Sequence, residues 1–185
     1  LAHRVGQLAQ PRRGDFPASR ATAYDGSPYP WPSIASPDVV RALVDAGALF
    51  VVSDSGGKDS QAQGILIARV VPPEQLLFIH ATLPGAEWPG TMEQAEGHAR
   101  MAGAPFVLAQ ANKTFLGMVD GRFRDRPGAP SWPSAKFRQC TSDLKRDPIV
   151  REVRRYANEH GFKTIVTCMG LRAQESPKRA RRKPL

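Results

Sequence analysis

Ser53–Gln63 reads SDSGGKDSQAQ, two adjacent glycines set between serines and followed at once by a lysine and an aspartate. Glycines let backbone N–H groups turn inward around an anion, and a helix starting just beyond adds unpaired donors and a partial positive charge. The hydroxyls of Ser55 and Ser60 can donate to phosphate oxygens, and Lys58 either adds a positive charge or points to solvent. Asp59 is ill suited to touch phosphate directly; it holds a magnesium ion or caps the following helix. The spacing departs from both the GxxxxGK[ST] phosphate loop and the GxGxxG dinucleotide fingerprint.

A second group follows near the end. Arg172 and Arg179 stand seven residues apart, with Glu175 and Ser176 between them. Forked guanidinium donors suit phosphate or sulfate, although two surface arginines would look the same in sequence. Cys140 lies near Arg138 and Lys145, and nearby cations make a thiol more reactive; the alternative is a structural, partly buried cysteine. Lys136, Arg138 and Lys145 are further candidates for anion contacts. Cys168 falls inside an apolar run and reads as core. The histidines at 3, 80, 98 and 160 show no metal-ligand spacing, and His80, ending a strand, is the one expected near a ligand.

The elements that must position these groups alternate. SPDVVRALVDAG (36–47) predicts a helix capped by Ser36 and ended by Gly47, followed by the apolar strand ALFVVS. SQAQGILIARVV predicts a helix stopped by Pro72 and Pro73, then the strand QLLFIHA. TMEQAEGHARMAG predicts a helix with Thr91 and Gln94 as a capping box, then the strand PFVLAQ. DPIVREVRRYANEHG predicts a helix capped by Asp147, with Pro148 in its first turn and Gly161 at its end, then the strand KTIVTCM. Strands without polar alternation, separated by helices, imply an α/β fold: a single domain with a parallel twisted sheet and helices on both faces. The glycine-rich loop then sits at the carboxyl end of a strand, where such sheets bind ligands. Residues 120–138 are turn-rich and predict a long excursion over the sheet edge.

The domain so predicted spans residues 36–176, preceded by an irregular, proline-rich arm (1–35) and followed by a basic tail (177–185). The chain has 185 residues and a net charge of +9, more than half of it from Lys178, Arg179, Arg181, Arg182 and Lys183 in the tail. Such a run is a solvated segment or an anion site, and nucleic acid is a possible partner. No aromatic residues interleave it, so stacking on bases is not indicated. No apolar run reaches the roughly 20 residues of a membrane span, no signal-peptide pattern opens the chain, and a cytoplasmic setting is expected. Two cysteines exclude a disulfide scaffold and cannot supply the four thiolates of an iron–sulfur cluster.

SDSGGKDS resembles the PP-loop, SGGxDS, of the N-type ATP pyrophosphatases and adenine nucleotide alpha hydrolases. Three further segments are similar to the phosphoadenylyl-sulfate (PAPS) reductase-like branch. LLFIHATLPGAEWPGTMEQAEGHARMAG resembles its vDTGxxFPET region, KFRQCTSDLKRDPI its RxCTxxLKxxP segment and GLRAQESPKRAR its GxRxxESxxR segment. The matches stand in family order from about Val51 to Arg182. The resemblance implies a nucleotide site built from Ser53, Ser55, Gly56, Gly57, Lys58, Asp59 and Ser60, with His80, Ala81 and Thr82 against adenine through main-chain groups. Arg172, Ser176 and Arg179 would close over the nucleotide.

The chemistry implied is cleavage of ATP between its alpha and beta phosphates, with AMP released or transferred. Lys58 and Arg172 would be the catalytic residues and Asp59 the contact to Mg2+. A PAPS-like sulfonucleotide is the alternative ligand, and a silent nucleotide-binding module or subunit of a sulfur-modification system the alternative role. The acceptor is not written in the sequence; DNA or RNA sulfur modification, or a phage or mobile-element pathway, fits a compact relative. The family's reductases carry a C-terminal cysteine, and related enzymes carry paired cysteines for a four-iron cluster. Neither feature occurs in this sequence, so reductase activity is not expected.

Overall fold

The computed structural model describes residues 38–134, 138–172, 174 and 176–181. The predicted arm (1–35), the Ser36 cap, Lys136, Glu175, Arg182 and Lys183 lie outside the described residues. The chain order is α1 (Asp38–Asp45), β1 (Leu49–Ser53), α2 (Lys58–Val70), β2 (Leu76–Thr82), α3 (Thr91–Ala102), β3 (Phe106–Gln110) and α4 (Phe115–Asp125). Then come α5 (Gln139–Thr141), a π-turn (Ser142–Arg146), α6 (Asp147–Glu159), β4 (Ile165–Cys168) and α7 (Pro177–Ala180).

The four strands form one parallel sheet in the order β3-β2-β1-β4. Chain progression runs outward from β1 through β2 to β3, then returns to place β4 on the other side of β1. The strand order therefore reverses between β1 and β4, and the crevice beyond their carboxyl ends is where an open α/β sheet accepts a ligand.

Both faces of the central strands β1 and β2 are covered, as a wholly apolar strand pattern requires. On one face Leu49, Val51, Leu77, Ile79, Val107 and Ala109 pack against Val153, Tyr156 and Ala157 of α6 and against Phe162. On the other, Phe50 and Leu76 meet Val40, Leu43 and Val44 of α1 and Ile67 of α2, while Val52 and Phe78 meet Ala99 of α3. Phe50, Phe78, Leu49, Leu76, Leu77 and Ile79 are wholly inside, each worth roughly 1.5–3 kcal/mol of transfer free energy.

Four details depart from the expectations. Residues 115–125 are helical, so the edge excursion predicted for 120–138 begins only after Asp125; Thr114 starts this helix by accepting the Gly117 N–H at 3.0 Å. Thr91 and Gln94 form no capping box: Gly90 holds the cap position, and the Thr91 hydroxyl donates instead to the Trp88 carbonyl. Asp147 does not cap α6, because the chain is already helical through Arg146. The reason is Pro148, which lacks an N–H and crowds the carbonyl four residues back; a wider π-turn ahead of it lets the helix run through. Finally, the edge strands β3 and β4 are not covered on both faces: Leu108 remains 37% and Ile165 40% exposed.

Candidate functional site

The glycine loop occupies the position predicted for it, between the end of β1 and the first turn of α2. Its own hydrogen bonds hold it closed. Ser60 Oγ accepts the Ser55 N–H at 3.0 Å and lies 2.8 Å from Ser55 Oγ, so the two hydroxyls expected at an anion fasten the loop to α2. Gly56 has φ +73°, and a Cβ there would stand 2.6 Å from the Thr91 carbonyl oxygen. Glycine is thus required twice over, for its backbone angle and for the approach of α3. Gly57 precedes α2 without any side-chain cap. The first-turn N–H groups of Lys58, Asp59 and Ser60 have no intrahelical acceptor by geometry, and the helix adds partial positive charge there. The Lys58 side chain is exposed.

The segment after β4 reaches the same turn of α2. Arg172 Nε lies 3.0 Å from Asp59 Oδ2, and a Cβ on Gly170 would sit 3.0 Å from the Asp59 carbonyl oxygen. Arg172, Lys58 and the glycine loop, some 115 residues apart in sequence, therefore share one rim. Ser176 and Arg179 are joined differently: Ser176 caps α7, its Oγ accepting the Arg179 N–H at 3.2 Å.

His80, Ala81 and Thr82 end β2 next to the loop. β1 stops at Ser53, opposite Ile79, and the Asp54 N–H closes the ladder on the Ile79 carbonyl at 2.9 Å. Alternate residues of a strand direct their main-chain groups to the same edge. Ala81, two residues on, thus presents its N–H and C=O beyond the end of β1. The His80 side chain turns inward instead: Nδ1–H donates to the Asp54 carbonyl at 2.8 Å, and Nε2 lies 3.3 Å from Glu87 Oε1. Glu87 also accepts the Thr82 hydroxyl at 3.1 Å.

Sequence reasoning missed the residue at the centre of this arrangement. Asp54, its side chain fully buried, accepts the Gly56 N–H on Oδ1 at 2.7 Å and His98 Nδ1–H on Oδ2 at 2.9 Å. Asp54 immediately precedes the SGGxDS pattern, so the motif drew no attention to it. His98 carried one signal: it interrupts the buried small-residue stripe Ala95–Ala99 of α3, where a polar ring needs a partner.

Neither cysteine joins the site. Cys140 is half-buried among Met118, Val119 and Leu144, and Cys168 packs under β1, where burial pushes its thiol up to about 11. Among the described residues, no group of three or more His, Cys, Asp or Glu side chains stands together to hold a metal ion, and no helix is long and apolar enough to cross a membrane.

No curated protein matches the chain significantly. Residues 49–185 match the family model described as the phosphoadenosine phosphosulfate reductase domain. That match begins at the first residue of β1 and takes in the glycine loop, the end of β2 and the arginine segment after β4. The chain therefore belongs to the phosphoadenosine phosphosulfate reductase domain family, in the PAPS reductase-like branch of the adenine nucleotide alpha hydrolase superfamily.

Proposed function

We propose that the chain binds an adenine nucleotide at the switch point of its sheet and turns it over at the alpha phosphate, releasing or transferring AMP. The observation that carries this reading is the convergence on one turn of α2 of three features: an uncapped helix start behind two glycines, the Lys58 side chain, and Arg172 held by Asp59. The Ala81 main chain beyond the end of β1 supports a base contact, since an N–H beside a C=O matches the donor and acceptor edge of adenine.

Catalysis at such a site is positioning and charge neutralisation. The first-turn N–H groups of α2 would hold the phosphates, Lys58 would balance charge on the departing pyrophosphate, and Arg172 would move from Asp59 to a phosphate oxygen. Asp59 places a carboxylate at this rim, and one Oδ already faces Arg172. Mg2+ commonly binds through one or two carboxylates together with substrate phosphates, so the residues fit an ion carried in on the nucleotide. When bound, that ion supplies further neutralisation of phosphate charge.

The second reading is a nucleotide-binding module or subunit that takes ATP or a PAPS-like sulfonucleotide without turnover. The position of the cysteines favours it over reduction, because a thiol pushed up to about 11 in β4 is a poor nucleophile. A calorimetric titration with Mg·ATP, followed by product analysis of the same sample, separates the two. AMP and pyrophosphate, abolished by Lys58→Ala, establish turnover; binding without products favours the module, and a sulfonucleotide is then titrated. No binding of either ligand sinks both readings.

A further inference from the structure

Asp54 gathers three parts of the molecule. Its N–H ends the β1–β2 ladder on Ile79, its carbonyl takes His80, and its carboxylate spans from the Gly56 N–H to His98. The Gly56 N–H, expected to face an anion, therefore points at Asp54 Oδ1. The turn of the glycine loop is set from beneath by a buried carboxylate. Among the described residues, His98 alone stands within ion-pair distance of that carboxylate. A buried carboxylate lacking a donor is costly and, directly under a phosphate loop, opposes the incoming anion.

His98 is placed for this task and has no other visible one. Its side chain is 4% exposed, and Nε2 is buried with no hydrogen-bond partner among the described residues, so Asp54 is what orients the ring. It lies two helical turns after Thr91, whose carbonyl and methyl group abut Gly56. Helix α3 thus grips the loop at two points, once directly through Thr91 and once through the relay from His98 to Asp54 to Gly56.

Resting on the reading of the loop as a phosphate site, we infer that His98 is a positioning residue for it: through Asp54 it fixes the Gly56 peptide and offsets the carboxylate beneath the bound phosphates. It acts without touching the nucleotide. The substitution that isolates this role is His98→Asn, because the Asn Nδ2 stands where the imidazole Nδ1 stood and can still donate to Asp54. His98→Leu fills the space and removes the donor.

The first measurement uses the unaltered chain. Nitrogen-15 NMR of the imidazole is expected to show Nδ1 protonated, and a ring protonated only at Nε2 overturns the inference whatever any variant does. The second is amide exchange. His98→Leu is expected to speed exchange at Gly56 about tenfold or more, the loss of one hydrogen bond to a charged group, with the amides of β3 and α6 unchanged. It should weaken Mg·ATP binding by a similar factor, and His98→Asn should restore both. Unchanged Gly56 exchange in the Leu variant, or faster exchange with undiminished ATP affinity, refutes the role. Failure of the unaltered chain to bind ATP, with Gly56 still responding to His98, would remove the ligand assignment and leave the control of the loop by His98 standing.

Discussion

Arg172 Nε and Asp59 Oδ2 lie 3.0 Å apart, joining the loop after β4 to the first turn of α2 across the point where strand order reverses. The pair is half exposed, so as a stabilising contact it is worth little. Its consequence is placement: an arginine from the segment after β4 is parked beside the glycine loop, at the proposed phosphate site.

Replacing Arg172 by alanine should therefore separate function from stability. If turnover occurs, kcat is expected to fall by about 10²–10³, the usual cost of removing one preorganised charge donor, while Tm changes little. Lysine should not restore the rate, because it lacks the forked donors and the reach of Nε to Asp59. Steady-state kinetics beside a thermal melt tests this; a large loss of Tm with no change in kcat contradicts it.

Gly56→Ala is expected to damage both loop and fold. The new Cβ would meet the Thr91 carbonyl at 2.6 Å on a backbone with φ +73°, so α3 or the loop must shift. Strain of this kind costs about 1–3 kcal/mol, measurable by urea denaturation, and nucleotide binding should weaken with it. Full stability in the variant would mean that the approach of α3 is not as close as described.

Acid sensitivity should be traceable to Glu152 on α6. Burial pushes its carboxyl up, but hydrogen bonds from Arg155 and Arg151 outweigh that and leave it below its ordinary 4.5. A carboxylate depressed in the folded state adds stability above its unfolded value, and that stability is lost as pH falls through the folded value. The stability difference between the unaltered chain and Glu152→Gln should thus be constant near neutrality and shrink below about pH 4.5. Denaturation midpoints at several pH values measure it; a difference that grows on acidification has the wrong sign.

Alkylation should distinguish the thiols. Cys168 packs against the core and burial raises its thiol to about 11, so at pH 8 it should react far more slowly in the folded chain than in urea. Mass spectrometry of iodoacetamide-treated protein reads this directly. Rapid labelling of folded Cys168 would show that the uncovered face of β4 opens readily.

The apolar runs ALFVVS, QLLFIHA, PFVLAQ and KTIVTCM determined the class of fold, because unbroken hydrophobic strands between helices call for a parallel sheet with helices on both faces. All four are strands, in parallel. Helix stops at Gly47 and Gly161 were legible for the same local reason. Helix starts were less so: α3 takes Gly90 as its cap and α6 is entered through a π-turn, since a cap is decided by where the preceding chain is held. Helix α4 was lost to the turn-rich composition that follows it, although Thr114 before an apolar run was a usable signal.

In the site, local chemistry marked the glycine loop, because glycines, hydroxyls and a lysine lie side by side in the chain. Only the tertiary structure decided that Arg172 rests on Asp59, that Ala81 outruns β1, and that Asp54 and His98 meet across 44 positions. Each depends on where two strands end relative to one another and on which face of α3 packs inward. Periodicity fixes which residues share a face, but the register between elements comes from packing, and a buried carboxylate finds its partner only once that register is set.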